Sequence, residues 1–240
     1  VNARWKFWLI SLSALLAVTT TLSLARWQLS RAAQKEALQA SIEHQALLPR
    51  LDGRLLAANA EPQSQMHRVV TLRGRWIEAH TVFLDNRQMD DKEGWYVLTP
   101  LQIEGSPRVV LVQRGWVARN FIDRTGLPPI ATTRGEVQIE GRIAPSPAKL
   151  YQLGQPQSGR IRQNLDLAEF ALETGLPLLP VSVLQTGVTG EGLLRDWPQI
   201  GVGIEKHYAY AFQWFALSAL VAFLYVWFQI VRRFISSHRA

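Results

Sequence analysis

No cysteine occurs in the 240 residues. Disulfides, thiolate nucleophiles and cysteine metal sites are excluded together. Methionine is nearly absent as well: Met66 and Met89 are the only two, so the soft ligands of a copper carrier are missing. The histidines, His44, His67, His80, His207 and His238, form no close metal-ligand pair. The chain holds no G-x-S-x-G, no H-E-x-x-H and no G-x-x-x-x-G-K-[ST]. Gly201-Val202-Gly203 begins like a dinucleotide loop, but Lys206 stands where the third glycine belongs and an apolar run follows. No motif pairs the carboxylates, which read as solvated surface charge. Without a nucleophile–base constellation, the sequence is expected not to encode an enzyme.

Acidic residues are also missing from both ends. Arg4 and Lys6 precede a long apolar run, Phe7–Leu24, and Arg232, Arg233 and Arg239 follow a second, Tyr208–Val231. Each run is close to or above the roughly 20 residues a bilayer-crossing helix needs. Of 26 Lys+Arg, 21 lie between the runs together with all 19 Asp+Glu, so the net charge of +7 sits mostly at the tails. A folded nucleic-acid-binding domain would carry its positive charge as a patch on the domain, so nucleic acid is not an expected partner. Basic tails flanking spans mark cytoplasmic ends. The segment between them is then expected outside, in the periplasm of a bacterium or the intermembrane space of a mitochondrion. The lipid bilayer is the first expected partner.

Ser23-Leu24-Ala25 resembles a signal-peptidase site. The preceding run exceeds an h-region of about 7–15 residues, and Arg26–Leu47 continues in helical pattern, with Leu38 and Ile42 four apart. Retention as an anchor is expected. The expected organisation is a transmembrane helix at 7–24, its helical extension at 25–47, an extracytoplasmic β-rich domain at 48–207, a second transmembrane helix at 208–231 and a basic cytoplasmic tail at 232–240. The fold class is α+β: two transmembrane helices bracketing an antiparallel small barrel or sandwich.

The strand signals come in series. Val69–Leu72 leads to Gly74 and Trp76, Thr81–Leu84 runs into Asp85-Asn86, and Trp95–Thr99 is expected to stop at Pro100. Arg108–Val117, Glu136–Ile143 and Val181–Leu184 follow. Leu48–His67, with Pro49, Gly53 and Pro62, reads as a loop or short irregular arm. One helix is expected from Asp166 and Glu169, a D-x-x-E start, to Gly175 before Pro177.

His207 directly precedes the second run. An imidazole at a membrane boundary can bind a haem iron. It can equally be an interfacial residue hydrogen-bonded to headgroups beside an aromatic belt. Trp27 and Trp214 can be belt anchors or apolar walls for a planar ligand. Arg26 and Arg31 can snorkel or pair with carboxylates. Arg114-Gly115-Trp116 reads as a strand end, with a tight glycine and a core tryptophan.

Several segments together resemble a known family. Trp27-Gln28-Leu29-Ser30-Arg31 matches a W-Q-x-x-R signature after the first span. Val97-Leu98-Thr99-Pro100-Leu101 and Val110–Val117 resemble a V-x-T-P and L-V-x-R-G-W-V pair, and Asp166-Leu167 leads to Gly175-Leu176-Pro177. His207-Tyr208-Ala209-Tyr210 opens the second span, followed by Gln213–Leu217. This ordered set resembles the surfeit locus protein 1 family, assembly factors of haem–copper cytochrome c oxidase. The resemblance implies a two-span inner-membrane protein that binds haem a and assists its insertion into oxidase subunit 1, with haem a synthase as a second candidate partner. It implies His207 as the iron ligand, with Trp27, Gln28, Arg31 and Trp214 around the cofactor. Ala25-Arg26 and Glu205-Lys206 depart from the family pattern, and Lys206 changes the field beside His207. The other reading is a membrane-tethered periplasmic interaction or sensor domain without a cofactor.

Overall fold

The computed structural model describes residues 3–119, 126–151, 158–187, 191–198 and 203–232. The expected tail at 232–240 therefore lies outside the described residues except for Arg232, as do Gly201 and Val202. The chain divides into two units, residues 1–40 with 199–240, and residues 41–198.

The first unit is a pair of long helices. Neither glycine nor proline occurs before Pro49, and helix α1 runs unbroken from Ala3 to Ala46. Helix α4 covers Ile204–Tyr225, and its last turn, Val226–Val231, winds as a π-helix. Both are long and apolar enough to cross a membrane. Hydroxyls within α1 bond to the preceding turn: Thr21 Oγ1 donates to Ala17 O at 2.8 Å and Ser23 Oγ to Thr19 O at 2.8 Å. A polar group left unsatisfied in hydrocarbon would be costly there.

The least exposed positions recur every three and four residues. On α1 they include Ala14, Val18, Thr21, Ala25, Gln28 and Ala32; on α4 they include His207, Ala211, Trp214, Ser218, Val221 and Tyr225. That is the seam of a two-helix coiled coil. Ser11 Oγ and Tyr225 OH share a 2.7 Å hydrogen bond at one end, and Gln28 meets His207 at the other. These two anchors make the pair antiparallel and set its register. Ala25 then falls level with Ala211, both essentially fully buried, so the backbones can approach closely there.

The second unit is built on a sheet that closes on itself. Its main strands are β2 (Val69–Trp76), β3 (Val82–Met89), β4 (Lys92–Ile103), β5 (Val109–Ala118), β6 (Glu136–Ala144) and β8 (Leu178–Thr186). Short strands β1 (Leu51–Asp52) and β7 (Ile161–Arg162) add to its edges. Around the ring the order is β2, β6, β8, β5, β4 and back to β2. This is the small barrel among the two expected forms. The sheet is mixed: β5 and β8 run parallel, as do β1 with β2 and β3 with β7, while the remaining pairs are antiparallel. A parallel pair needs a long crossover, and the segment from β6 through α3 (Leu167–Thr174) supplies the return to β8.

Alternation places Val70, Leu72, Val110, Val112, Val181 and Val183 inside the barrel. On the other face, Leu111, Leu84 and Leu98 meet Phe170 and Leu167 of α3. Asp166 caps α3, accepting from the amides of Ala168 at 2.9 Å and Glu169 at 3.4 Å, and Gly175 ends it in the left-handed region at φ 68°.

Two expectations need correction. Strand β4 does not stop at Pro100 but continues to Ile103. On one edge β4 pairs with β3 as far as Leu98 and with β2 from Leu101. Pro100 falls in the gap between these partners, where its missing N–H costs no ladder bond. The stretch 48–67 is also more ordered than a loop. Asp52 accepts from Arg54 N at 2.8 Å to start α2 (Gly53–Ala58), and Leu51 and Leu56 sink into the barrel core.

Candidate functional site

The end of the helix pair where α4 begins gathers the chemistry. Gln28 of α1 and His207 of α4 occupy facing seam positions, and His207 Nδ1 lies 2.7 Å from Gln28 Oε1. An amide oxygen only accepts, so Nδ1 carries the hydrogen and donates it. In the neutral ring this arrangement puts the lone pair on Nε2, the form of imidazole that ligates a metal. A metal-bound histidine is typically oriented in this way by an acceptor behind it.

A second contact secures the same end. Tyr208 donates its phenolic hydrogen to Glu36 Oε1 at 2.9 Å. Side chains tilt toward the N-terminus of their own helix. In an antiparallel pair Tyr208 therefore leans outward and Glu36 leans back, which lets them meet although Glu36 lies two turns beyond Gln28. The motifs did not single out Glu36. Its one sequence signal is that it is the first acidic residue of the chain, after a stretch carrying Arg26, Arg31 and Lys35.

Trp27 and Arg31 are also brought together. The Arg31 guanidinium carbon stands 5.7 Å from the Trp27 ring centroid, and its Nη1 donates to Gln34 Oε1 at 3.1 Å. Trp27 is half exposed. Trp214 stands on the seam one heptad from His207, roughly 10 Å further along the helix. Among the described residues no hydrogen bond or ring contact joins Trp27, Arg31 or Trp214 to His207. The structure thus assembles the Gln28–His207 pair directly and leaves Trp27, Arg31 and Trp214 on neighbouring turns of the same two helices.

The aromatic residues fit a membrane boundary at this level. Trp8 and Trp27, each at least half exposed, are 19 residues apart in one helix. That is about 28 Å of rise, close to the hydrocarbon thickness of a bilayer. Gln28 and His207 therefore lie level with the second of these two tryptophans.

Of the other sequence candidates, Arg114-Gly115-Trp116 is structural. Arg114 is fully buried, lies 4.7 Å from the Trp76 ring centroid, and donates to Thr132 Oγ1 at 2.9 Å, with Glu191 at 2.8 Å. A Cβ on Gly115 would come within 2.6 Å of Leu194 O, and Trp116 donates its indole N–H to Arg87 O at 2.9 Å. His67 and His80 belong to the barrel unit; burial and the nearby Arg142 hold the His67 imidazole below its ordinary pKa. His238 lies outside the described residues.

A closed small barrel bracketed by two membrane-length helices, with one boundary imidazole held by a glutamine, defines a class of membrane-anchored protein with a ligand-capable helix pair. Comparison with known proteins makes the assignment. The SURF1 family model matches residues 15–219. A SURF1-like protein of Drosophila melanogaster is 26% identical over 238 residues, covering 91% of this chain and 77% of the relative. SURF1-like proteins of Rickettsia bellii and Rickettsia felis are 25% and 27% identical over 236 and 225 residues, covering 94% and 90% of this chain and 92% and 95% of the relatives. The chain belongs to the SURF1 family, a family of oxidase assembly factors rather than catalysts.

Proposed function

We propose that the protein is an inner-membrane assembly factor that holds haem a at the outer end of its helix pair and delivers it to subunit 1 of cytochrome c oxidase. The observation that supports this most is the 2.7 Å contact of His207 Nδ1 with Gln28 Oε1, which leaves Nε2 available as a donor to iron. The donor chemistry fits the group. Trp27 and Trp214 offer apolar walls, and Arg31 offers a guanidinium suited to a propionate. Haem a is cargo in this reading: the protein supplies one axial nitrogen, a boundary position and release to an acceptor. Haem a synthase is the expected donor of the cargo. The basic tails favour an orientation in which the barrel unit lies on the periplasmic or intermembrane-space side.

The test is the absorption spectrum of the protein purified in detergent from a haem-a-producing host. A haem band in the parent that is lost in His207→Ala, with equal amounts of inserted protein, is the expected result. A colourless parent would instead favour a membrane-tethered interaction domain without a cofactor. A parent band unchanged in His207→Ala would move the ligand elsewhere.

A further inference from the structure

The two flanks of the helix pair at the level of His207 differ in charge. At 3.6 residues per turn, Glu36 and Tyr208 project to one side of the seam, and their hydrogen bond confirms that they share it. Trp27 and Arg31 project to the other side of α1, and Lys206 and Tyr210 to the corresponding side of α4. A second measurement joins the two helices on that flank. A Cβ built on Gly203 would lie 3.9 Å from both Lys35 Nζ of α1 and Lys206 Cδ of α4. One flank therefore carries a carboxylate, and the other carries cations from both helices.

The cationic flank is also graded along the membrane normal. Trp27, Tyr210 and Trp214 sit at or inward of His207, toward the apolar layer. Arg31, Lys35 and Lys206 sit outward of it, toward water. Apolar ring faces lie on one side of a donor nitrogen and ammonium and guanidinium groups on the other. That pattern matches a planar amphipathic metal macrocycle with carboxylates along one edge.

We propose that the ligand of His207 binds on the Trp27–Tyr210 flank, with its two carboxylates outward against Arg31 and Lys206 and its hydrocarbon edge inward along Trp214. This rests on the haem reading above and adds to it a face and a direction. The Glu36–Tyr208 bond closes the opposite flank, and the Glu36 carboxylate repels an anionic edge from it. Release toward an acceptor then proceeds from the Trp27–Tyr210 flank.

The test compares two probes on the full-length protein in detergent: haemin, with two free propionates, and its dimethyl ester, in which both are neutral. The parent is expected to bind haemin about tenfold more tightly than the ester, as charge-assisted contacts worth a factor of this size require. Arg31→Glu combined with Lys206→Glu is expected to abolish that preference, and the far-ultraviolet circular dichroism and elution volume of the variant, equal to the parent's, show that it is folded. Glu36→Gln, which keeps an acceptor for Tyr208, is expected to preserve the preference. If the double variant retains it, or the parent shows none, the proposed orientation is wrong, and loss of the haem band in His207→Ala tests the haem reading separately. If the parent binds neither probe, the haem reading and this inference fall together.

Discussion

Gln28 and His207 face each other from antiparallel helices, and a hydrogen bond of 2.7 Å joins Nδ1 of the imidazole to the amide oxygen. This gives the glutamine a role distinct from contact with a ligand. Gln28→Leu removes the acceptor, so the ring loses both its preferred tautomer and its orientation. Haemin affinity is expected to fall by about 10–100-fold, the usual cost of losing the partner behind a metal-bound histidine. Gln28→Glu keeps an acceptor and makes the imidazole more basic. It should retain binding and lower the iron reduction potential, because the more electron-rich ring favours the ferric state. Spectroscopic titration and a redox titration check the two variants. Equal affinity in the parent and Gln28→Leu would remove the orienting role.

The sequence shows the spans and the family motifs, because hydropathy and ordered short motifs are local properties. It also shows the boundary histidine. It does not show that Gln28 meets His207, which are 179 residues apart and brought together only by the register of two helices. The heptad seam that sets this register is hidden in an apolar run, where Ala25 and Ala211 differ little in polarity from the lipid-facing Leu and Val. The path of β4 through Pro100 was equally illegible. A proline normally ends a strand, and only the change of partner from β3 to β2 makes it harmless. The parallel β5–β8 pair depends on a crossover whose length the motifs do not reveal.

Closure of the barrel depends on Gly74. It pairs with Ile103 where β2 meets β4, and a Cβ there would come within 2.0 Å of Gln102 O. The obstructing atom is backbone, so no rotamer change relieves it. Gly74→Ala is expected to cost about 3 kcal/mol or more, at or beyond the upper end for overpacked cores. The measurement is thermal unfolding followed by near-ultraviolet circular dichroism. A melting temperature equal to the parent's would show that the β2–β4 seam is free to open.

The barrel unit should weaken in acid. Lys149 donates to Asp166 at 3.0 Å, and with the amides of Glu169 and Ala168 this holds the Asp166 carboxyl below its ordinary pKa. Arg162 forms two bonds to Glu173, at 2.8 and 2.9 Å, and depresses its carboxyl likewise. A group with a lowered folded pKa contributes stability above its unfolded pKa and loses it as pH falls through the folded value. With unfolded values near 4, the contribution is complete above about pH 5 and declines below about pH 4. Glu173 is exposed and Asp166 partly so, so solvent screening keeps each ion pair's share small. The cap is the larger effect: Asp166→Ala is expected to cost about 1 kcal/mol at neutral pH. Melting temperatures at pH 7 and pH 3.5 for the parent and Asp166→Ala check both statements. The difference between the two proteins should shrink at the lower pH, and a constant difference would refute the linkage.

The absence of cysteine makes the membrane orientation directly measurable. A single cysteine introduced into this chain is the only site for a thiol reagent, so no background labelling arises from the protein itself. Leu172 on α3 is 86% exposed in the barrel unit, so Leu172→Cys offers a reactive thiol at little cost to the core. Lys6 precedes the first apolar run, so Lys6→Cys reports on the other side. The basic tails predict both ends in the cytoplasm and the barrel unit outside. In intact spheroplasts a membrane-impermeant maleimide should label Leu172→Cys and spare Lys6→Cys, and lysis should expose the second. The same result places Gln28 and His207 at the outer boundary, since they lie about 30 Å along α1 and α4 from the inner end. Labelling of Lys6→Cys alone before lysis would invert the protein, put His207 at the cytoplasmic face and remove the basis for delivery of haem from outside.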